Sequence, residues 1–298
     1  MSAAPPRAPL VTIGLPVYNG ERFLAQALDS LLSQTFGDFE LIVSDNASTD
    51  RTAEICEDYA ARDGRIRYVR QGSNRGAVWN ANFVALQARG QYFKWASAND
   101  FCDPRMLEQC VAVLRRDPGS VVCHGRTCIV DEDTGERRPF ADDVCATDPR
   151  PSQRFKAVFG SLKLNNPICG VMRLDVLRRT ALVPLYRDGD LVLTMELALH
   201  GRIVLLPEIL LYRRFGARTW SMRLTPSDLQ LFLYARSGAE PKFARWRRRI
   251  DLIRAVLRAP ISGSEKRRTL LHVVNRVGAY RLRSMAGGLR SKCLAPKS

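Results

Sequence analysis

No stretch of the 298 residues approaches the roughly 18 uncharged apolar residues that a membrane-spanning helix needs. The richest run, Ile203 to Tyr212, is short and broken by Pro207 and Glu208. The N-terminus, Met1 to Pro9, is rich in Ala and Pro and lacks the basic-then-apolar layout of a secretion signal, which points to a cytoplasmic protein. Eight cysteines are present without one C-x-x-C pair, and they sit beside Val, Ile and Leu. That pattern reads as reduced core residues; a zinc site from Cys102, Cys110, Cys123 and His124 is the weaker reading. The three histidines are scattered singly at 124, 200 and 272. There is no P-loop, G-x-G-x-x-G, H-E-x-x-H or G-x-S-x-G, and no internal repeat.

Acidic residues are scarce in one region. From Pro241 to Ser298 there are sixteen basic residues and two acidic ones, Asp251 and Glu265, a net +14 of the whole chain's +16. The first 240 residues therefore carry +2. Hydrophobic residues at 46% and charged residues at 26% suffice for a packed core and exclude global disorder.

The first hundred residues alternate strand and helix. Short apolar runs at 11–15, 39–44, 66–69 and 91–96 read as strands. Segments 21–34, 50–62, 77–87 and 104–116 read as helices, with Leu24, Ala27, Leu28 and Leu31 at helical spacing in the first. Repeated β-α-β units imply right-handed crossovers and a mainly parallel sheet flanked by helices. Ligands bind such sheets beyond the carboxyl ends of the strands. From Val121 the pattern loosens: a strand to Val130, a polar loop from Asp131 to Pro151, a helix from Asp190 to His200 and a strand from Ile203 to Leu206. Two amphipathic helical segments follow, with stripes Trp246, Ile250, Ile253, Leu257 and Leu270, Val273, Val274, Val277.

Three strand-end loops carry the candidate chemistry. The first is Pro16-Val17-Tyr18-Asn19-Gly20 and the second Ser44-Asp45-Asn46-Ala47-Ser48-Thr49-Asp50. Each alone is an ordinary turn or helix cap. At neighbouring strand ends, an aromatic ring and a carboxylate can stack on a base and accept its imide N–H. The third loop, Ser97-Ala98-Asn99-Asp100, offers one carboxylate and one amide oxygen to a hard divalent ion bridging a diphosphate. Its bland alternative is a turn leading into the helix at Pro104.

The ordered set of P-V-Y-N, S-D-N-A-S-T-D, N-R-G-A-V-W-N-A-N and an acidic position after the fourth strand resembles the family 2 glycosyltransferases with the GT-A fold. The resemblance runs from Pro9 to about Gly216. It implies an inverting transfer of a sugar from a nucleotide-diphosphate donor, a UDP-sugar first, to an acceptor hydroxyl, with cell-surface polysaccharide or glycoconjugate as the product class. It implies a nucleotide site at Pro16, Tyr18, Asn19, Asp45, Arg75 and Asn99, a metal ligand at Asp100, and a catalytic base at Asp190, with Asp188 the runner-up. On its own residue pattern, Asp190 reads equally well as the N-cap of its helix. The likeness divides the chain into a tail (1–9), a GT-A catalytic domain (10–216) and a basic helical C-terminal extension (217–298).

Two positions depart from the family pattern. Asn99 replaces the first acidic residue of the usual metal pair, and Arg213-Arg214-Phe215-Gly216 stands where similar sequences carry Arg-Arg-x-His. The expected divalent cation, Mn²⁺ or Mg²⁺, is therefore weakly bound or dispensable, with Arg213, Arg214 or Arg218 available to meet diphosphate charge. The alternative function is a catalytically degenerate protein that binds nucleotide sugar or a partner. The basic tail suits an anionic membrane surface, placing the protein peripherally on the inner face; it brings no nucleic-acid motif, so nucleic acid is the less favoured partner.

Overall fold

A computed structural model describes residues 8–186, 188–215, 233–234 and 244–275. It is a mixed α/β structure built on one nine-stranded sheet. The first half follows the alternation of its sequence: β1 (Val11–Val17), α1 (Leu24–Leu32), β2 (Phe39–Asp45), α2 (Thr52–Arg62), β3 (Ile66–Arg70), α3 (Ala77–Leu86), β4 (Tyr92–Trp95), β5 (Phe101–Cys102) and α4 (Met106–Arg116). Strands β3, β2, β1 and β4 lie side by side in parallel, so their carboxyl ends share one edge. Strand β1 is buried on both faces, which explains its unbroken apolar run. Helix α1 buries Leu24, Ala27, Leu28 and Leu31, the stripe its periodicity predicts.

The second half mixes directions. It comprises β6 (Ser120–Asp131), β7 (Arg137–Pro139), α5 (Pro151–Ser161), a 3-10 turn (Pro167–Cys169), β8 (Val171–Arg173), α6 (Leu174–Leu177), α7 (Gly189–His200) and β9 (Arg202–Phe215). Strand β8 runs antiparallel to both β4 and β6, β6 runs parallel to β9, and β5 closes the order antiparallel to β9. The sequence pattern leaves β7, α5, β8 and α6 unread.

Strand β9 has 14 residues, far beyond the four expected from 203–206. Gly125 pairs with Leu206 and Arg126 with Ile209, so Pro207 and Glu208 are skipped there, and Leu210 is skipped at the next step. Such a bulge accommodates a proline that cannot donate, and lets the strand continue. That continuation carries Arg213 and Arg214 to the functional edge.

Helix α8 (Ala244–Arg258) and a further helical segment at 263–275 pack on this body. Leu252, Val256, Ala259 and Val273 join the cluster containing Phe155, Trp95 and the apolar residues of α7. Arg258 donates to both carboxylate oxygens of the buried Glu196 on α7, at 2.9 and 3.1 Å. Of the stripe read in the sequence of α8, only Ile253 packs against this cluster. Trp246, Ile250 and Leu257 are 54%, 44% and 55% exposed, whereas Leu252, Ala255, Val256 and Ala259 are buried. Gly216, Arg218 and Val277 lie outside the described residues. No helix among the described residues is long and apolar enough to cross a membrane.

Candidate active site

A cavity of about 620 Å³ opens at the carboxyl-end edge of the sheet. Pro16, Tyr18 and Asn19 reach it from the end of β1, Asn46 from the end of β2, Trp95 to Asp100 from the end of β4 and the loop after it, Asp188 to Asp190 from the start of α7, and Arg213 and Arg214 from β9. Six of the foreseen positions thus meet: Pro16, Tyr18, Asn19, Asn99, Asp100 and Asp190.

Local hydrogen bonds fix the nucleotide-side loops to each other. Asn19 has φ 50° and donates its N–H to Ser48 Oγ at 2.9 Å, while its Oδ1 accepts the Thr49 N–H at 2.9 Å. The Gly20 N–H reaches Thr52 Oγ1 at 2.8 Å. Asp45 is fully buried and does not line the cavity. Its Oδ1 accepts the Ser48 N–H at 2.8 Å and its Oδ2 the Tyr68 hydroxyl at 3.0 Å. Arg75 also stays off the cavity lining, with its guanidinium 3.7 Å above the Trp79 ring. Its backbone N–H is held by Asn46 Oδ1 at 3.0 Å. Gly76 follows at φ 88°, a conformation that disfavours side chains, and a Cβ there would strike the backbone of 233–234.

The opposite wall is built by β5 pairing with β9. Phe101 faces Tyr212 in the antiparallel register, so Asp100 falls beside Arg213 and Arg214. Asp100 Oδ1 accepts the Arg214 backbone N–H at 3.0 Å, and Arg213 Nε stands 3.6 Å from Oδ2. Burial pushes the Asp100 carboxyl up from its ordinary value, against the opposing pull of Arg213, Arg214 and Lys94. The Arg214 side chain is committed to structure: it donates to the Asn99 carbonyl and Gln26 and lies over the Phe23 and Phe101 rings. Arg213 keeps its cavity position with its side chain 23% exposed, and donates to Asn166 Oδ1 at 2.7 Å.

Asp190 sits in the first turn of α7. The residue at the N-cap is Asp188, at φ 62°, with no side-chain capping bond, so the N-cap reading of Asp190 is corrected by two positions. Asp190 Oδ2 accepts from Asn165 Nδ2 at 2.9 Å, and Asn165 Oδ1 accepts the Thr194 hydroxyl at 2.9 Å. The next residue, Asn166, is fully buried and donates to Asp143 Oδ1 at 2.7 Å. Asn165 and Asn166 went unread in the sequence; an Asn-Asn pair before Pro167 gives a signal that any turn would also give.

A divalent cation asks for several oxygen ligands and usually more than one carboxylate. Here Asn99 supplies a neutral amide, and both oxygens of Asp100 already face arginine groups. Among the described residues no group of three His, Cys, Asp or Glu side chains could hold a metal ion. This donor set does not fit a dedicated cation site. The His124 ring, from the weaker zinc reading, faces the Gly125 and Val144 carbonyls at 3.1 and 2.9 Å.

The sequence profile of glycosyl transferase family 2 matches residues 12–180. The glycosyltransferase GlyG of Streptococcus pneumoniae is 24% identical over 229 residues, covering 74% of this chain and 75% of GlyG. An uncharacterized glycosyltransferase of Bacillus subtilis, EpsJ, is 41% identical over 101 residues, 34% of this chain and 29% of EpsJ. The Escherichia coli chondroitin synthase is 34% identical over 116 residues, 39% of this chain and 17% of the synthase. The matched stretch is thus under a third of either of these two relatives. Among solved structures, S. aureus TarS with UDP-GlcNAc has a TM-score of 0.66 at 21% identity, covering 90% of this chain and 72% of that one. A mannosyltransferase of Pyrobaculum calidifontis in complex with GDP-Man and Mn²⁺ has a TM-score of 0.55 at 17% identity, over 95% and 81% of the two chains. At these identities the likeness establishes the fold, the GT-A architecture.

Proposed function

The chain belongs to glycosyl transferase family 2, and we propose that it transfers a sugar from a nucleotide-diphosphate donor, a UDP-sugar, to an acceptor hydroxyl with inversion at the anomeric carbon. One observation carries the reading. Asn165 holds the carboxylate of Asp190 and its neighbour Asn166 holds the guanidinium of Arg213, so a base and a cation are tethered to adjacent residues on one cavity.

Each group then has a task. The Tyr18 ring stacks on the base, with Pro16, Asn19 and Asn46 forming the wall around it. Asp45 acts as a positioning residue, because its carboxylate pins the Ser48 turn and receives Tyr68. Arg213 meets the negative charge that grows on the departing diphosphate. Asp190 takes the proton of the acceptor hydroxyl as that oxygen attacks the anomeric carbon from the side opposite the diphosphate. The electron pair of the broken C–O bond leaves on the phosphate oxygen, so charge moves from Asp190 towards Arg213. Asn165 keeps the Asp190 carboxylate aimed. With Arg213 in this role, the dispensable cation of the sequence expectation is the version we favour. The role of Asn99 is to line the diphosphate end.

The test is release of nucleoside diphosphate from a UDP-sugar, followed for the wild type and Asp190→Asn, each with and without a chelator. Loss of a general base lowers transfer by about 10²–10⁴-fold. Asp190→Asn should show that loss while donor affinity, measured by calorimetry, stays near wild type. Normal turnover in the variant would remove Asp190 from the chemistry. Donor binding without turnover in the wild type would favour the degenerate, binding-only protein.

A further inference from the structure

Helix α8 displays two apolar faces. At about 100° per residue, Trp246, Ile250, Ile253 and Leu257 fall within an arc of about 60°. Leu252, Ala255, Val256 and Ala259 lie on the other side of the helix, and that side is the one buried against the body. Of the first arc, Trp246, Ile250 and Leu257 face outward near half exposure, while Ile253 packs against the core. On the helical segment that follows, Leu271 and Val274 are 62% and 61% exposed. A solvent-facing stripe of Trp, Ile and Leu has no use in packing a lone chain.

Arginines flank the stripe. Arg247 and Arg254 lie on one side of it and Arg249 on the other, where its guanidinium sits 4.7 Å over the Trp246 ring. The Arg254 side chain is 68% exposed. Asp251, one of two acidic residues in this part of the chain, is turned towards Arg254 at 3.5 Å. A stripe of Trp, Ile and Leu edged by guanidinium groups has the layout of a helix that lies in a lipid headgroup layer. Apolar side chains enter the acyl boundary, Trp takes the interface, and arginines meet lipid phosphates. Nucleic acid would use the arginines and leave the apolar stripe in water, so the two features together select lipid.

We propose that α8 docks this protein on an anionic membrane surface through Trp246, Ile250 and Leu257, with Arg247, Arg249 and Arg254 at the headgroups. The docked helix also touches the site. Arg248, on the body side of α8, stands 3.8 Å from Asp188, the N-cap of the helix whose first turn bears Asp190. On the proposed role of Asp190, the start of α7 therefore lies about one helix diameter, some 10–12 Å, from the docked face.

The test is co-sedimentation of the full chain with vesicles. One set is pure phosphatidylcholine and the other contains one-third phosphatidylglycerol, at low and high salt. Binding should require the anionic lipid and weaken as salt rises. Fluorescence of the wild type minus that of Trp246→Phe should shift to shorter wavelength on the anionic vesicles. The triple variant Trp246→Ser, Ile250→Ser, Leu257→Ser changes exposed positions and should keep its circular dichroism and its donor binding. It should lose at least about tenfold in vesicle affinity. Equal binding of wild type and triple variant, or no wild-type binding at low salt, would overturn the proposal. So would a wild-type dimer that the triple variant dissociates, since the stripe would then be an interface between copies. None of these readouts depends on sugar transfer.

Discussion

Helices α1 and α8 each carry an apolar stripe at regular helical spacing, and the body uses them in opposite ways. In α1, Leu24, Ala27, Leu28 and Leu31 all turn inward on the sheet. In α8, Trp246, Ile250 and Leu257 turn outward, and the contact is made by Leu252, Ala255, Val256 and Ala259. The difference lies in what each helix meets. Helix α1 covers a sheet face already lined by Val11, Ile13 and Val43, where bulky leucines fill the space. Helix α8 meets α7, which is buried along nearly its whole length from Val192 to Leu199. Two alanines on the contacting side leave room for that approach, and the same approach lets Arg258 reach buried Glu196 at 2.9 Å. Arginine follows the same division. In the body Arg213 lines the site and Arg214 is tied into its wall, whereas Arg247 and Arg254 of α8 are exposed.

The contrast can be broken by cutting one leucine from each stripe. Leu28 is fully buried and Leu257 is 55% exposed. Leu28→Ala should cost about 2–5 kcal/mol, the usual result of a large-to-small change in a core. Leu257→Ala should stay within about 0.5 kcal/mol of wild type. Urea unfolding of the two variants measures both. Similar losses would mean that the α8 stripe is covered in solution.

The sequence was most legible where partners are close along the chain. Strands β1 and β2 show as apolar runs because both their faces are buried, and two of the strand-end loops bring Tyr18, Asn19, Asn99 and Asp100 to one cavity. What stayed hidden depends on distant partners. Asn165 and Asn166 acquire meaning from Asp190, Asp143 and Arg213, which lie 23 to 47 residues away. Helix α5 shows no clean stripe because Ser152 and Arg154 are among its buried residues. Ser152 N–H is held by Glu265, and Arg154 donates to the Ala198 and Leu199 carbonyls. Strand β9 was cut short by reading Pro207 as an end instead of a bulge. For α8 the period was visible and the inward face was not, since periodicity marks a face without saying which neighbour covers it.

A second effect sharpens the junction between the two regions. Glu265 Oε2 accepts the Ser152 N–H at 2.8 Å at the start of α5, and Oε1 receives Arg268 at 2.7 Å. The bonds from Ser152, then the Arg268 guanidinium, hold its carboxyl at about 2, below the ordinary 4.5. A carboxyl lowered on folding contributes stability that is fully present above its unfolded value and is lost as pH falls through the folded one. Its contribution should therefore be intact above about pH 4.5 and fade between there and about pH 2. Glu265→Gln should lose about 1–3 kcal/mol at pH 7. The gap between variant and wild type should close as the pH approaches 3 and below. A gap constant with pH would mean that the carboxylate does not pin the C-terminal helices to α5.

The smallest expected effect concerns the inward arginines. Asp100 is the single carboxylate of its loop, one of its oxygens takes the Arg214 N–H, and Arg213 Nε lies 3.6 Å from the other. Asn99 is exposed at the cavity edge, so a carboxylate there costs little to solvate. Asn99→Asp would add one anionic oxygen donor beside Asp100, and manganese affinity should rise by about tenfold, roughly 1.4 kcal/mol. The same change places a negative charge near Arg213, which draws the guanidinium away from a bound diphosphate. Nucleoside diphosphate should then bind more weakly to Asn99→Asp without metal and recover when manganese is added. The wild type should bind it equally well with and without a chelator. Calorimetry of the two proteins, each with and without manganese, gives all four values. A wild type that loses the diphosphate on chelation would return the charge-neutralising role from Arg213 to a metal ion. An unchanged manganese affinity in Asn99→Asp would show that position 99 faces away from the diphosphate end.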